Sequence, residues 1–123
     1  MLKNNVEVDK LTISVRTHIK LEDIKNLLDS ASRGSNYWCR SDLGYESETE
    51  QALTLEGIKV EDTEDRNFAT TIYTLNVDKI KKGFTVMAKK YPEHFADFLK
   101  EDYDQNTGDV FLQCCLFGGM IYG

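Results

Sequence analysis

The octet Arg33-Gly34-Ser35-Asn36-Tyr37-Trp38-Cys39-Arg40 brings two guanidinium groups, a side-chain amide, two aromatic rings and a glycine into one short stretch. Guanidinium forks match planar anions and also lie on ring faces, so such a set can stack on a base and clamp a phosphate or carboxylate. Arg33, Asn36, Tyr37, Trp38 and Arg40 are therefore candidate ligand-binding residues. The competing reading is an aromatic strand in which Tyr37 or Trp38 faces the core and the arginines pair with acidic neighbours.

A second candidate is electrostatic. Net charge is −6, but nine acidic residues against one lysine give −8 between Asp42 and Asp65, and the remainder of the chain carries +2. Glu46, Glu48, Glu50, Glu61, Asp62 and Glu64 are candidate protein-binding residues, because an array of carboxylates can imitate phosphate spacing and occupy a basic channel. Solubility is the commoner use of such a segment. Bare nucleic acid is excluded as a direct partner, since its binding needs cationic groups set against phosphates.

Catalytic arrangements are missing. Nucleophilic catalysis asks for Cys or Ser with His and an orienting carboxylate, yet Cys114 and Cys115 fall in the most apolar stretch, where burial makes a thiol inert. His18 ends a strand-like stretch and His94 opens a helix, where a solvated ring is expected; no G-x-S-x-G elbow or phosphate-cradling glycine loop occurs. Three cysteines, two of them adjacent, suit neither a disulfide framework nor a four-ligand zinc site. The loop from Asp104 to Asp109 begins like a calcium loop, but Asp109 and Cys115 stand where glycine and a bidentate glutamate are required. The residues thus describe a non-enzyme without metal or cofactor.

These groups need elements to position them. Gly108 to Gly123 reads GDVFLQCCLFGGMIYG, and Gln113 is the one polar side chain between Val110 and Phe117. A helix there is apolar on nearly every face and must be enclosed. Thr107 is its expected cap, Asp109 lies in its first turn, and Gly118-Gly119 offers a left-handed exit. Alternation of apolar and polar residues from Leu11 to Thr17 predicts a first strand after a frayed start. Leu21, Ile24, Leu27, Leu28 and Ala31 predict an amphipathic helix over 20–32. Strands are expected at 36–40 and 68–75, with an acidic hairpin in 52–60. Asn76 should cap a helix with the stripe Val77, Ile80, Phe84, Met87, Ala88 and Tyr91; its lysines form a solvated face, and Pro92 starts a further short helix. Met120-Ile121-Tyr122 could close the chain as a short strand. The order predicts one α+β domain over 1–123, with an antiparallel sheet of three to five strands covered by three to four helices and the C-terminal helix buried.

At 123 residues the chain can bury roughly two-thirds of its unfolded surface, enough to fold without staples. With 41% hydrophobic residues, one proline, and neither a bilayer-length apolar run nor a signal-peptide pattern, it reads as a cytoplasmic globular protein.

Gly34-Ser35-Asn36-Tyr37-Trp38, the run from Lys89 to Leu99, and the ending from Gly108 to Gly123 resemble a small protein family encoded by tailed bacteriophages and prophages. The resemblance spans about two-thirds of the chain and omits the acidic segment. It implies an accessory protein that acts against host defence in the host cytoplasm. One such action is binding a host protein such as a CRISPR effector. Another is sequestering a cyclic nucleotide signal, as oligomeric Thoeris-inhibiting sponges do, with Arg33, Asn36, Trp38 and Arg40 around the ligand. A phage structural or regulatory adaptor is the third expectation, and homo-oligomers fit the second and third.

Overall fold

The computed structural model describes residues 10–40, 55–61 and 70–123. Its elements run in the order helix, three strands, three helices: α1 (Leu21–Gly34), β1 (Cys39–Arg40), β2 (Leu55–Glu61), β3 (Thr70–Leu75), α2 (Val77–Lys90), α3 (Pro92–Leu99) and α4 (Gln105–Phe117). The α+β class and the buried final helix follow the sequence. From Thr107 to Cys115 every residue of α4 is buried, between α1 and α2.

Local chemistry explains most boundaries. In α1 the apolar stripe Ile24, Leu27, Leu28 and Ala31 is buried, and Glu22 and Asp23 lie in the first turn, where the helix dipole favours carboxylates. The Asn76 side chain accepts from the Lys79 backbone N–H at 2.9 Å and so caps α2 as expected. Pro92 opens α3 at a position where its missing N–H costs nothing. Gly118, at φ 73°, ends α4 in the left-handed region.

The start of α4 differs from expectation. Asp104 is the cap, accepting from Asn106 N–H at 2.9 Å, and the helix begins one residue later. Thr107 is buried inside the first turns, where its hydroxyl lies 2.8 Å from His94 Nδ1. The calcium-like loop is thus a helix cap, and His94 is half-buried in a side-chain contact rather than solvated.

The sheet has the order β1-β2-β3, antiparallel throughout. Its full ladder is the β2–β3 pair, with Ile58 opposite Tyr73 and Val60 opposite Thr71; β1 adds two residues, Cys39 opposite Val60 and Arg40 opposite Lys59. The described residues therefore hold fewer full strands than the three to five expected. Ile58, Val60 and Leu75 are buried on one face, while Lys59 and Ile72 are exposed on the other. Phe117 of α4 meets the covered face edge-on at Tyr73, 5.4 Å between ring centres.

Three expected strands fail or shrink. Residues 11–17 form no regular element and join no sheet, residues 35–38 form a turn so that only Cys39–Arg40 of the octet is strand, and Met120–Tyr122 pairs with no strand among the described residues. In the turn, Trp38 and Cys39 N–H both return to Ser35 O, which removes them from any ladder. Of the expected hairpin at 52–60, the second arm is β2; residues 52–54, the frayed start at 1–9 and the first two residues of the expected strand at 68–75 lie outside the described residues.

The core is one cluster in which an aromatic group ties the helices together. Phe84 of α2 lies 4.4 Å from Phe111 of α4 and 5.2 Å from Phe98 of α3, centre to centre. Close helix approach depends on two glycines. A Cβ on Gly108 would fall 2.7–2.8 Å from backbone atoms of Ser30 and Ala31, and one on Gly83 would collide with the Cys115 thiol.

Candidate functional site

The turn after α1 and the buried helix α4 bring Tyr37, Trp38, Asp109 and Gln113 together. Asp109 and Gln113 stand four residues apart on α4 and so share a face. The Asp109 carboxylate accepts from Trp38 Nε1 at 2.6 Å, from Tyr37 Oη at 2.6 Å and from Gln113 Nε2 at 3.0 Å. Gln113 Oε1 in turn accepts from the backbone N–H of Ile121 at 2.8 Å and of Tyr122 at 2.9 Å, and Gln113 Nε2 lies 3.3 Å from Tyr122 O. Every polar atom of this buried cluster has a partner inside it, the condition under which a charge can sit in a core.

The rings close the arrangement. Tyr122 is stacked on Trp38 at 5.3 Å with 5° between planes, and Phe117 is tilted against it at 5.4 Å. Burial pushes the Tyr37 phenol up to about 12, and its hydrogen bond to the Asp109 carboxylate and that group's charge act in the same direction.

These contacts give most of the ligand-binding candidates other work. Trp38 is buried with Tyr122 and Phe117 on it, so a base would have to displace the segment that carries Tyr122. Arg33 is exposed and pairs with Asp29 one turn earlier in α1. Asn36 is exposed, Tyr37 is half-exposed but bonded to Asp109, and the side chain of Arg40 lies outside the described residues. Sequence reasoning missed Asp109 and Gln113 as the partners of the aromatic pair. The signal was available, since two polar residues four apart in an otherwise apolar helix must meet donors and acceptors.

The acidic candidates are positioned only by their anchor points. Glu46, Glu48, Glu50, Asp62 and Glu64, and the side chain of Glu61, lie outside the described residues. The stretch holding the first three joins β1 to the start of β2, whereas Asp62 and Glu64 follow its end. Seven residues of β2 separate those anchors, a span of about 20 Å.

The thiols offer no nucleophile. Cys39, Cys114 and Cys115 are buried and free; burial raises the Cys39 thiol, pushes Cys114 up to about 11 and holds Cys115 well above the ordinary thiol range. Among the described residues no three His, Cys, Asp or Glu side chains converge as a metal ion would need, and no helix is long and apolar enough to cross a membrane.

The stretch from Ile13 to Ile19 and α2 border an apolar groove of about 810 Å³ whose lining includes Val77, Ile80 and Phe84. Fold and site together define an α+β protein whose buried polar cluster is closed on itself and which bears an apolar groove. No known family profile, curated protein or solved structure matches the chain, so nothing about its activity comes by similarity.

Proposed function

We propose that this chain is a non-catalytic binding protein that acts by occupying a protein partner. In the setting that its motifs resemble, it is a phage-encoded inhibitor of a bacterial defence system, and the partner is a host effector such as a CRISPR nuclease. The observation that carries the binding reading is the closed cluster around Asp109: the rings best suited to hold a small molecule are spent on holding the fold. What is left for recognition is surface, and the strongest surface signal is the −8 segment with Glu46, Glu48, Glu50, Glu61, Asp62 and Glu64. An array of carboxylates suits a basic channel. The same cluster speaks against nucleotide sequestration, because Trp38 has no free face.

Native mass spectrometry of the protein isolated from bacterial cells, before and after denaturation, tests this reading. A retained protein mass that is lost when Glu46, Glu48 and Glu50 are reversed to lysine supports the inhibitor. A small molecule released on denaturation overturns it in favour of sequestration.

A further inference from the structure

Leu11 to Thr17 alternates apolar and polar side chains, the pattern of a strand with one covered face, yet the stretch joins no sheet. Leu11, Ile13 and Val15 are 84%, 79% and 76% exposed, so the whole apolar face is in water. From Ile19 onward the chain is held, since Ile19 packs on the core cluster. Among the described residues, one edge of the sheet has no neighbour. β3 is terminal in the order β1-β2-β3, and Thr70-Thr71-Ile72-Tyr73-Thr74-Leu75 contains none of the charged residues, prolines or bulging glycines that usually protect such an edge. Ile72, 63% exposed, stands on the uncovered face of the sheet. Thr74 O accepts from Lys79 Nζ, and no described strand lies along the edge from Thr70 to Tyr73.

We infer that Leu11–Thr17 is an exchange strand: it adds to the β3 edge of a second copy of this chain, and the second copy returns its own strand to the first. Both halves of the contact are present in one sequence, so a two-fold axis satisfies both at once, as an isologous interface requires. Reciprocity also matters for size. One short strand addition falls below the roughly 1,200 Å² at which specific interfaces begin, and a second, symmetric one doubles the area. Main-chain ladders supply affinity, and the alternating Leu11, Ile13 and Val15 supply register by covering Ile72. Charge agrees with this choice of occupant. Lys10, Arg16 and Lys20 are basic with no acidic residue among 10–20, while the sequence running into β3 carries Asp62, Glu64 and Asp65 against the single Arg66. An antiparallel register sets Arg16 at the β3 end that follows those carboxylates.

Sedimentation equilibrium at micromolar concentration is the first test. The expected species has twice the 14.1 kDa of one chain. Ile13→Lys with Val15→Lys should weaken self-association by roughly two orders of magnitude, because it sets charges where apolar side chains would lie against Ile72. Ile72→Lys, altering the other half, should do the same. All three side chains are exposed in the single chain, so helix content and melting temperature of the dissociated protein should be unchanged. A cross-linking experiment fixes the geometry: Ile13→Cys and Ile72→Cys in separate chains should yield a two-chain product only when mixed, because the two positions share a face in the proposed register. A monomer at these concentrations, a dimer indifferent to both sets of lysines, or a link between positions 13 and 72 formed within one doubly substituted chain would each overturn the exchange. Reversing Glu46, Glu48 and Glu50 should leave the dimer intact, so failure of the inhibitor reading and failure of this one are separable.

Discussion

A carboxylate only 6% exposed among apolar neighbours is tolerated when its charge is answered, and at Asp109 three donors answer it. Removing it strands the indole N–H of Trp38 and one amide hydrogen of Gln113 in the core. Asp109→Ala should therefore cost about 3 kcal/mol in urea unfolding, several times the cost of a surface substitution. Tyr37→Phe takes the donor from Asp109 Oδ2, but Tyr37 is half-exposed and water can reach the place of its hydroxyl, so a smaller cost of about 1–2 kcal/mol is expected there. The alkaline limb of stability follows from the raised groups. The folded protein holds the Cys114 proton to about 11 and the Tyr37 proton to about 12, while the unfolded chain releases them near 9.0 and 10.0. Unfolding thus releases protons in those windows, and stability falls as pH rises through them. Melting temperature against pH should fall between pH 9 and 12, and Cys114→Ala should flatten the lower part of that fall. Native protein should likewise leave a thiol reagent unreacted at neutral pH, and all three cysteines should react after denaturation.

At the scale of elements, α4 is enclosed because its neighbours come close, and two glycines set the distance. Gly108 faces backbone atoms of α1, which cannot turn aside, so Gly108→Ala should destabilise by about 1–3 kcal/mol despite alanine's better helix propensity. Gly83 faces chiefly a side chain, the Cys115 thiol. Gly83→Ala should then be costly alone and much less so with Cys115→Ala, a coupling that a double-mutant cycle in urea would read directly. The helices were legible because each announces its face by period and its ends by chemistry: Asn76, Pro92 and Gly118 all stand where local rules put them. Strands were less so, since a strand is completed by a partner that its own sequence does not contain. Leu11–Thr17 has the right pattern and no partner within the described residues, and the aromatic octet spends Ser35–Trp38 on a turn because Ser35 O takes both following N–H groups. The Asp109 cluster was half visible. Its aromatic members stood out as ligand candidates, and only the fold shows that the ligand is the protein's own carboxylate.

Over the whole molecule, the two ends described here contribute unequally. The stretch before Ile19 leaves three apolar side chains in water, whereas Met120–Tyr122 is tied in: Met120 N–H donates to Tyr91 Oη at 2.8 Å, Ile121 and Tyr122 N–H donate to Gln113, and the Tyr122 ring lies on Trp38. This segment bridges α2, α4 and the turn that follows α1, so it joins parts of the chain that are distant in sequence. Removing Met120–Gly123 strips Gln113 of two donors and uncovers the single tryptophan. The loss of buried hydrogen bonds and of one stacked aromatic face should total about 3–4 kcal/mol, a large share of the 5–15 kcal/mol that a domain of this kind possesses. Trp38 reports the event itself: its emission should shift to the red and become open to quenching by iodide in the truncated protein. Removing residues 1–17 should leave that emission and the urea midpoint of the isolated chain almost unchanged. If instead the C-terminal deletion proves silent and Trp38 stays shielded, the closed cluster does not hold the fold. The argument that its rings are unavailable to a ligand would then fall with it.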